Sequence, residues 1–544
     1  GTLTTGTGTL TINRTGALYV DDFTGMFTGT LNANGDITVN GGQFVAGTGF
    51  NWASGKTLTI ENGSNVTFNG AYATVANATY NISDANSSLQ MISSLALGNG
   101  ANVNVSSGAS IGATGFNIGS GTAGTLSVDG AGSAASGSGG TTAWGTAGGT
   151  ANVTFSNSAA GNFHRTMGFT TMSLAGSATA GTTAHVTVES GATVTTNNLL
   201  VAAAGGATTA ATLDITGIGS AVTVDSMAVG NATTDTAAVN VLSGGTLTVS
   251  GATANGTTTL NHTGSITING GTFNTGGLTN NSGTFNFISG TLGITGTSGL
   301  TIGSSGPLGN NMALGSGQTL NVTNATTIDA AAALTLNAGT LNTGSVILNS
   351  TSTMNIGLGG TTRGSQYGDV VTSGNASLAG ALYVSVFNGF TLAAGNRFDI
   401  FDWSTHSGTF ASVTLPTLSG SLVWNTSLLY TSGVLRVVDP NFLPGDMNLD
   451  HHINAADVLP MEQALANLSS YKATYVPGIT NAHLALIDDV DGDGSFTNAD
   501  LQTLLIDLKN GGGSADPVPE PAAIVLLGLG ALAFAIQRRA RYPI

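Results

Sequence analysis

"GSAVTVDSMAVGNATTDTAAVNVLSGGTLTVSG", residues 219–251, decides the reading of most of this chain. Val222, Val224, Val229, Val239, Val241, Leu247 and Val249 fall on alternate positions of short runs, with Thr, Ser, Asn or Asp among the residues between them. Period-two alternation puts one set of side chains on a buried sheet face and the other in water. Gly219, Gly230, Gly244 and Gly245 interrupt the runs, and glycine at such intervals marks turns. The stretch reads as short β-strands joined by tight turns.

Neighbouring stretches repeat it: "GTLSVDG" at 124, "TANVTFSNS" at 150, "AHVTVES" at 184, "ATLDITG" at 211 and "AVNVLSG" at 238. Their marker residues Leu126, Val153, Val186, Leu213 and Val239 are spaced by 27, 33, 27 and 26 positions. Later copies shorten to "GTFNTGGL", "QTLNVTN" and "LTLNAGTLNTG". Units of this length bury an apolar row only by stacking on their neighbours. The spacing predicts a β-solenoid over residues 1–350, with Thr and Asn ladders outside and Gly at corners of positive φ. An array of β-sandwiches is the alternative. The repeats resemble the β-solenoid passenger repeats of autotransporter-type bacterial surface proteins, which implies an extracellular structural or adhesive role.

Composition narrows the function. The chain has 544 residues, 82 of them glycine, no cysteine and a net charge of −16. Phosphate backbones need a Lys/Arg surface, so nucleic acid is not an expected partner. Zero cysteine removes disulfides, thiolate catalysis and Cys-ligated metals. The chain begins with Gly and shows no signal-peptide core, so a mature form or a fragment is expected. The first 438 residues hold 14 of the 27 acids, with Asp21–Asp22 the one adjacent pair. Glycoside hydrolysis needs two carboxylates at a set separation, and His164–Arg165 and His185 stand without an obvious partner. The solenoid is therefore read as no enzyme. The runner-up is a polysaccharide hydrolase or lyase, which would require three or more carboxylates on one face within reach of Arg or Lys.

Aromatic residues gather in 351–438, in "ALYVSVFNGF", "NRFDIFDW" and "WNTSLLY". An open solenoid end exposes unpaired strand edges and needs an atypical terminal unit, so this segment reads as a β cap. It also looks like the terminal unit of autotransporter-repeat proteins that bear sorting tags. Arg397, Asp399, Asp402 and His406 lie close in sequence there and read as strand-edge polar residues.

Residues 439–510 differ again, since 13 acids lie between Asp439 and Glu520. In "DVDGDGSFTNAD", Asp489, Asp491, Asp493 and Asp500 take positions 1, 3, 5 and 12, with Gly494 at 6, Ser495 at 7, Phe496 at 8 and Thr497 at 9. That is the order of an EF-hand-type Ca²⁺ loop, since a hard cation takes clustered oxygen ligands and the loop needs a sharp turn at position 6. A second copy, "DMNLDHHINAAD", offers Asp446, Asn448, Asp450, His452, Asn454 and Asp457, with Ile453 at position 8. His451 replaces glycine at position 6, so this first site is expected to be the weaker of two. Each loop leads into a helix, "DVLPMEQALANL" or "DLQTLLIDLKNG", the latter with Leu501, Leu504, Leu505 and Leu508 at helical spacing. Two loop–helix units resemble a type I dockerin, which implies Ca²⁺-dependent folding and a cohesin-like partner. Ala455–Ala456 and Asn498–Ala499 stand where cellulosomal dockerins carry Ser/Thr pairs, a departure that bears on the partner rather than on Ca²⁺.

The tail, 511–544, begins with a Gly/Ser/Pro linker. Fifteen residues without charge, 522–536, form a short hydrophobic helix in this reading, and Arg538, Arg539 and Arg541 follow. The basic end predicts a cytoplasmic C-terminus. Val518, Pro519, Glu520 and Pro521, the apolar run and the Arg cluster together resemble the PEP-CTERM sorting signal. The resemblance implies export, transient anchoring in the inner membrane, processing by an exosortase and delivery to the cell surface or extracellular matrix. The fold expected overall is mainly β: a long solenoid (parallel β-helix), a β cap, a small helical EF-hand-like module and a terminal apolar helix. A surface polysaccharide is a further candidate partner.

Overall fold

The computed structural model describes residues 9–510, apart from 13–17, 22–23, 28–29, 47–48, 70–75, 140, 164–170, 178, 204–207, 232–233 and 252–255. The tail with its sorting residues and apolar run lies outside the described residues, as do Asp22, His164 and Arg165. Two compact units are present. One comprises 1–358, 364–385 and 403–414; the other comprises 359–363, 386–402 and 415–544.

The first unit is a stack of parallel strands. The repeat markers meet in register, as Leu126↔Val153, Val153↔Val186, Val186↔Leu213 and Leu213↔Val239. The sequence spacing is thus the coil length. The inward column Val105, Val128, Phe155, Val188, Ile215, Val241 and Ile268 is at most 1% exposed throughout. Burial of such side chains contributes about 1.5–3 kcal/mol each, and no coil could gain it alone. Coils carry more than one inward row: Gly124–Asp129, Ala134–Gly137 and Thr141–Thr146 are three strands of one turn. From residue 193 the second and third strands merge, so that Thr193–Val201 pairs with both Ala160–Phe163 and Thr171–Leu174. Coils shorten to about 20 residues later, as Leu334↔Met354 shows.

Outward amides and hydroxyls form the expected ladders. Asn104 donates to Asn81 (2.9 Å), Asn281 to Asn261 (3.0 Å) and Asn342 to Asn321 (2.8 Å). A second ladder runs inside the turns. The buried hydroxyls of Ser87, Ser133 and Ser220 accept the amides of Gly63, Gly108 and Gly191 one coil away, each at 3.0 Å. These three glycines have φ of +74 to +85°, conformations that glycine adopts without a Cβ penalty. The recurring Ser just after a turn was the available signal for this staple.

In the second unit the hydrogen bonding changes to antiparallel. Arg397–Asp399 and Val423–Asn425 flank Val434–Val438. Phe398 packs between Phe390 and Trp424, with ring centroids 6.2 Å away in each case. Among the described residues four α-helices follow: α1 Val458–Ala466, α2 Leu468–Thr474, α3 Asn481–Ile487 and α4 Asn498–Lys509. Their core is Met447, Met461, Tyr471, Leu484, Ile487, Val490 and Leu504. The connector between the loops is α2 and α3, capped by Asn467 and Thr480. Tyr471 explains why it orders: its ring is fully buried and its hydroxyl donates to the Met447 carbonyl at 2.8 Å. Leu505 departs from the predicted stripe and is 47% exposed, because α4 buries Leu504 with Leu501 and Leu508 alongside.

Candidate metal centre and sorting motif

The loops 446–457 and 489–500 close in the same way. Asp446 accepts the amides of Asp450 (3.0 Å) and His451 (2.9 Å); Asp489 accepts those of Gly492 (2.8 Å) and Gly494 (3.0 Å). Asp450 accepts His452 N–H at 2.8 Å, and Asp493 accepts Ser495 N–H at 2.7 Å. At position 12, Asp457 takes the amides of Asn448 (3.2 Å) and Asn454 (2.9 Å). Asp500 takes those of Val490 (2.8 Å), Asp491 (3.2 Å) and Thr497 (2.7 Å). Asn454 and Thr497 complete capping boxes, so each loop ends by starting a helical segment. Ile453 and Phe496, both at position 8, pack on the helical core.

Backbone conformation repeats too. Positions 4 and 6 have positive φ in both loops: Leu449 (56°) and His451 (64°), Gly492 (76°) and Gly494 (85°). Position 6 was foreseen; position 4 was not, although Gly492 was its signal. His451→Gly is expected to stabilise the chain by about 0.5–1 kcal/mol by removing a side chain from the left-handed region. Thermal unfolding checks this, and a lower midpoint would refute it.

Oxygen atoms of Asp489, Asp491 and Asp493 all lie within 4.8 Å of one another, the one such group of three among the described residues. An all-oxygen set on a turn of this conformation fits a hard cation such as Ca²⁺. Asp446, Asp457 and Asp500 are fully buried. Burial pushes the Asp446 carboxyl up, and raises Asp457 to about 6. Asp488, which sequence reading passed over, is raised to about 6 by burial and then by Asp489 and Asp500. Burial also raises Asp491, and the charges of Asp500, Asp493 and Asp489 add to it. Carboxylates so crowded gain from a neutralising cation.

Of the cap residues, Asp399 and Asp402 both face Arg363, at 3.0 and 4.0 Å, whereas Arg397 lies against Gly492 and His406 packs near Trp403 in the other unit. His185 faces Asp214 of the next coil at 3.7 Å.

The PEP-CTERM protein-sorting motif matches residues 517–539. This chain carries a PEP-CTERM sorting signal. The match includes Val518, Pro519, Glu520, Pro521, Arg538 and Arg539; Arg541 falls beyond it. The motif implies an exported protein recognised by an exosortase. Among the described residues no helix is long and apolar enough to cross a membrane. Of solved structures, the TibC-catalysed hyper-glycosylated TibA fragment 55–350 aligns at 15% identity and a TM-score of 0.29. The alignment covers 75% of this chain and 95% of that one, and at that score it carries no argument. No curated protein matches the chain.

Proposed function

We propose that this protein is a non-catalytic structural or adhesive component of a bacterial cell surface or extracellular matrix. Its solenoid presents the surface, its dockerin-like module binds two Ca²⁺ ions and docks a cohesin-like partner, and an exosortase removes its tail. The observation that carries the reading is a PEP-CTERM motif following a parallel β-stack whose outward ladders are Asn, Thr and Ser. Such a neutral hydrogen-bonding surface suits contact with polysaccharide or with neighbouring chains.

The full chain, expressed in an exosortase-bearing bacterium, tests this. Wild type should reach the surface or medium with the mass of a chain lacking its tail. A variant with Pro519, Glu520 and Pro521 replaced by alanine should stay with the inner membrane at full mass. Equal processing of both would defeat the sorting half. Calorimetric Ca²⁺ titration tests the module: two ions bound support it, and none would leave the solenoid to carry any function.

A pH dependence follows from Asp457 and Asp488. Their carboxyls are raised above the unfolded value, so the fold favours their protonated forms. Without Ca²⁺, this contribution to stability is present near pH 4 and lost as pH rises through about 6. With chelator, the module should melt higher at pH 5 than at pH 7, and the midpoint gain on adding Ca²⁺ should be larger at pH 7. A pH-independent gain would contradict it.

A further inference from the structure

Two arginines of the antiparallel sheet lie beneath the second acidic loop. Arg397 and Arg436 are directly opposite each other in the register of Arg397–Asp399 with Val434–Val438. Like charges in that relation destabilise a sheet unless something offsets them. Arg436 is only 6% exposed, and the Nε atoms of both guanidinium groups are buried without a hydrogen-bond partner. One compensation is visible: Arg436 Nη2 lies 3.4 Å from Asp507 Oδ2 on α4. The others come from the loop. Burial lowers the Arg436 pKa; Asp507 opposes this most, Arg397 adds to it, and Asp489 and Asp491 oppose it.

Contact is direct as well as electrostatic. A Cβ at Gly492 would lie 3.0 Å from Arg397 Cδ and 3.2 Å from its Cβ, so the arginine stem rests on the loop backbone. Between them is a cavity of about 10 Å³ lined by Arg397, Arg436, Asp489 and Gly492 among others, room for about one water. The first loop has Leu449 where the second has Gly492, and the charges acting on Asp446 there are Asp450 and His451.

We propose that Arg397 and Arg436 are a fixed counter-cation for the second acidic loop, fastening it and α4 to the β-sheet before calcium binds and lowering that loop's affinity for Ca²⁺. This rests on the reading of residues 489–500 as a Ca²⁺ site. The arginines and the metal ion share the field of the same carboxylates. Each weakens the hold of the other, and Ca²⁺ occupancy is thereby linked to the sheet that carries Phe398 and Trp424. The module is then an integral part of this unit, with part of its counter-charge supplied by the chain itself.

The test uses the full chain and three readouts: calorimetric Ca²⁺ titration, thermal unfolding in chelator, and tryptophan fluorescence during titration. Arg397→Gln keeps much of the stem and removes the charge. Its expected effects are a roughly three- to tenfold tighter second Ca²⁺ site, a lower melting midpoint in chelator and a larger midpoint gain on adding Ca²⁺. Unchanged affinity together with an unchanged midpoint in chelator would overturn the proposal. Asp507→Asn, which leaves the loop's acids in place, should lower the midpoint in chelator without removing Ca²⁺ binding. If wild type takes up no Ca²⁺, the calcium reading and the affinity half fall together. The fastening half is then decided by the chelator midpoint of Arg397→Gln, which supports it if lowered and refutes it if not.

Discussion

Asp489→Ala is expected to weaken one of the two proposed Ca²⁺ sites, that of residues 489–500, by about 100-fold or more. Asp489 supplies position 1 of the loop, and its two oxygens also hold the amides of Gly492 and Gly494 at 2.8 and 3.0 Å. Hydrogen bonds to a charged group are worth about 1.5–3 kcal/mol each, so alanine loses both a ligand and the turn that gathers Asp491 and Asp493. Asp489→Asn separates these roles. It keeps one acceptor and loses the charge, and should weaken binding by roughly tenfold with a smaller effect on the metal-free fold. Calorimetry of the full chain reads both variants. Two sites of unchanged affinity in Asp489→Ala would refute the assignment of residues 489–500. The first loop serves as an internal control, because the ligands proposed for it come from 446–457.

Phe155→Ala is expected to cost about 3–5 kcal/mol, the largest stability loss we predict in the solenoid. Phe155 is fully buried, lies in register with Val128 below and Val188 above, and has Trp144 and Phe163 at 6.4 Å. Gly161 sits against its ring, since a Cβ there would come within 2.8 Å of Phe155 Cε1. Alanine leaves a void that parallel strands on a fixed ladder are poorly able to close. In a stack of nearest-neighbour units the damage is local. Hydrogen exchange should quicken in strands around 124–129, 150–156 and 183–189, while Ca²⁺ titration stays as in wild type. Protection lost evenly along the chain would show that the stack melts as a single unit.

Much of this was readable because it is periodic. The column through Leu126, Val153, Val186, Leu213 and Val239 was legible since stacking returns the same environment once per coil. The duplicate acidic loops were legible for a similar reason: a turn whose amides are held by its own carboxylates fixes both residue type and spacing. Features that depend on partners far away in sequence were not. Tyr471 orders the inter-loop segment by reaching Met447. Arg436 meets Asp507 across 71 positions. Neither pairing leaves a local pattern.

The sequence by itself determined the alternation, the coil length, the order of acidic residues in the two loops and the sorting motif at 517–539, because each is written in neighbouring residues. Only the tertiary structure decided that Asp446, Asp457 and Asp500 are buried, that Leu449 shares the left-handed turn of Gly492, and that Arg397 and Arg436 lie beneath the second loop. The physical reason is that burial and electrostatic fields are properties of what folds against a residue, whereas spacing belongs to the chain itself.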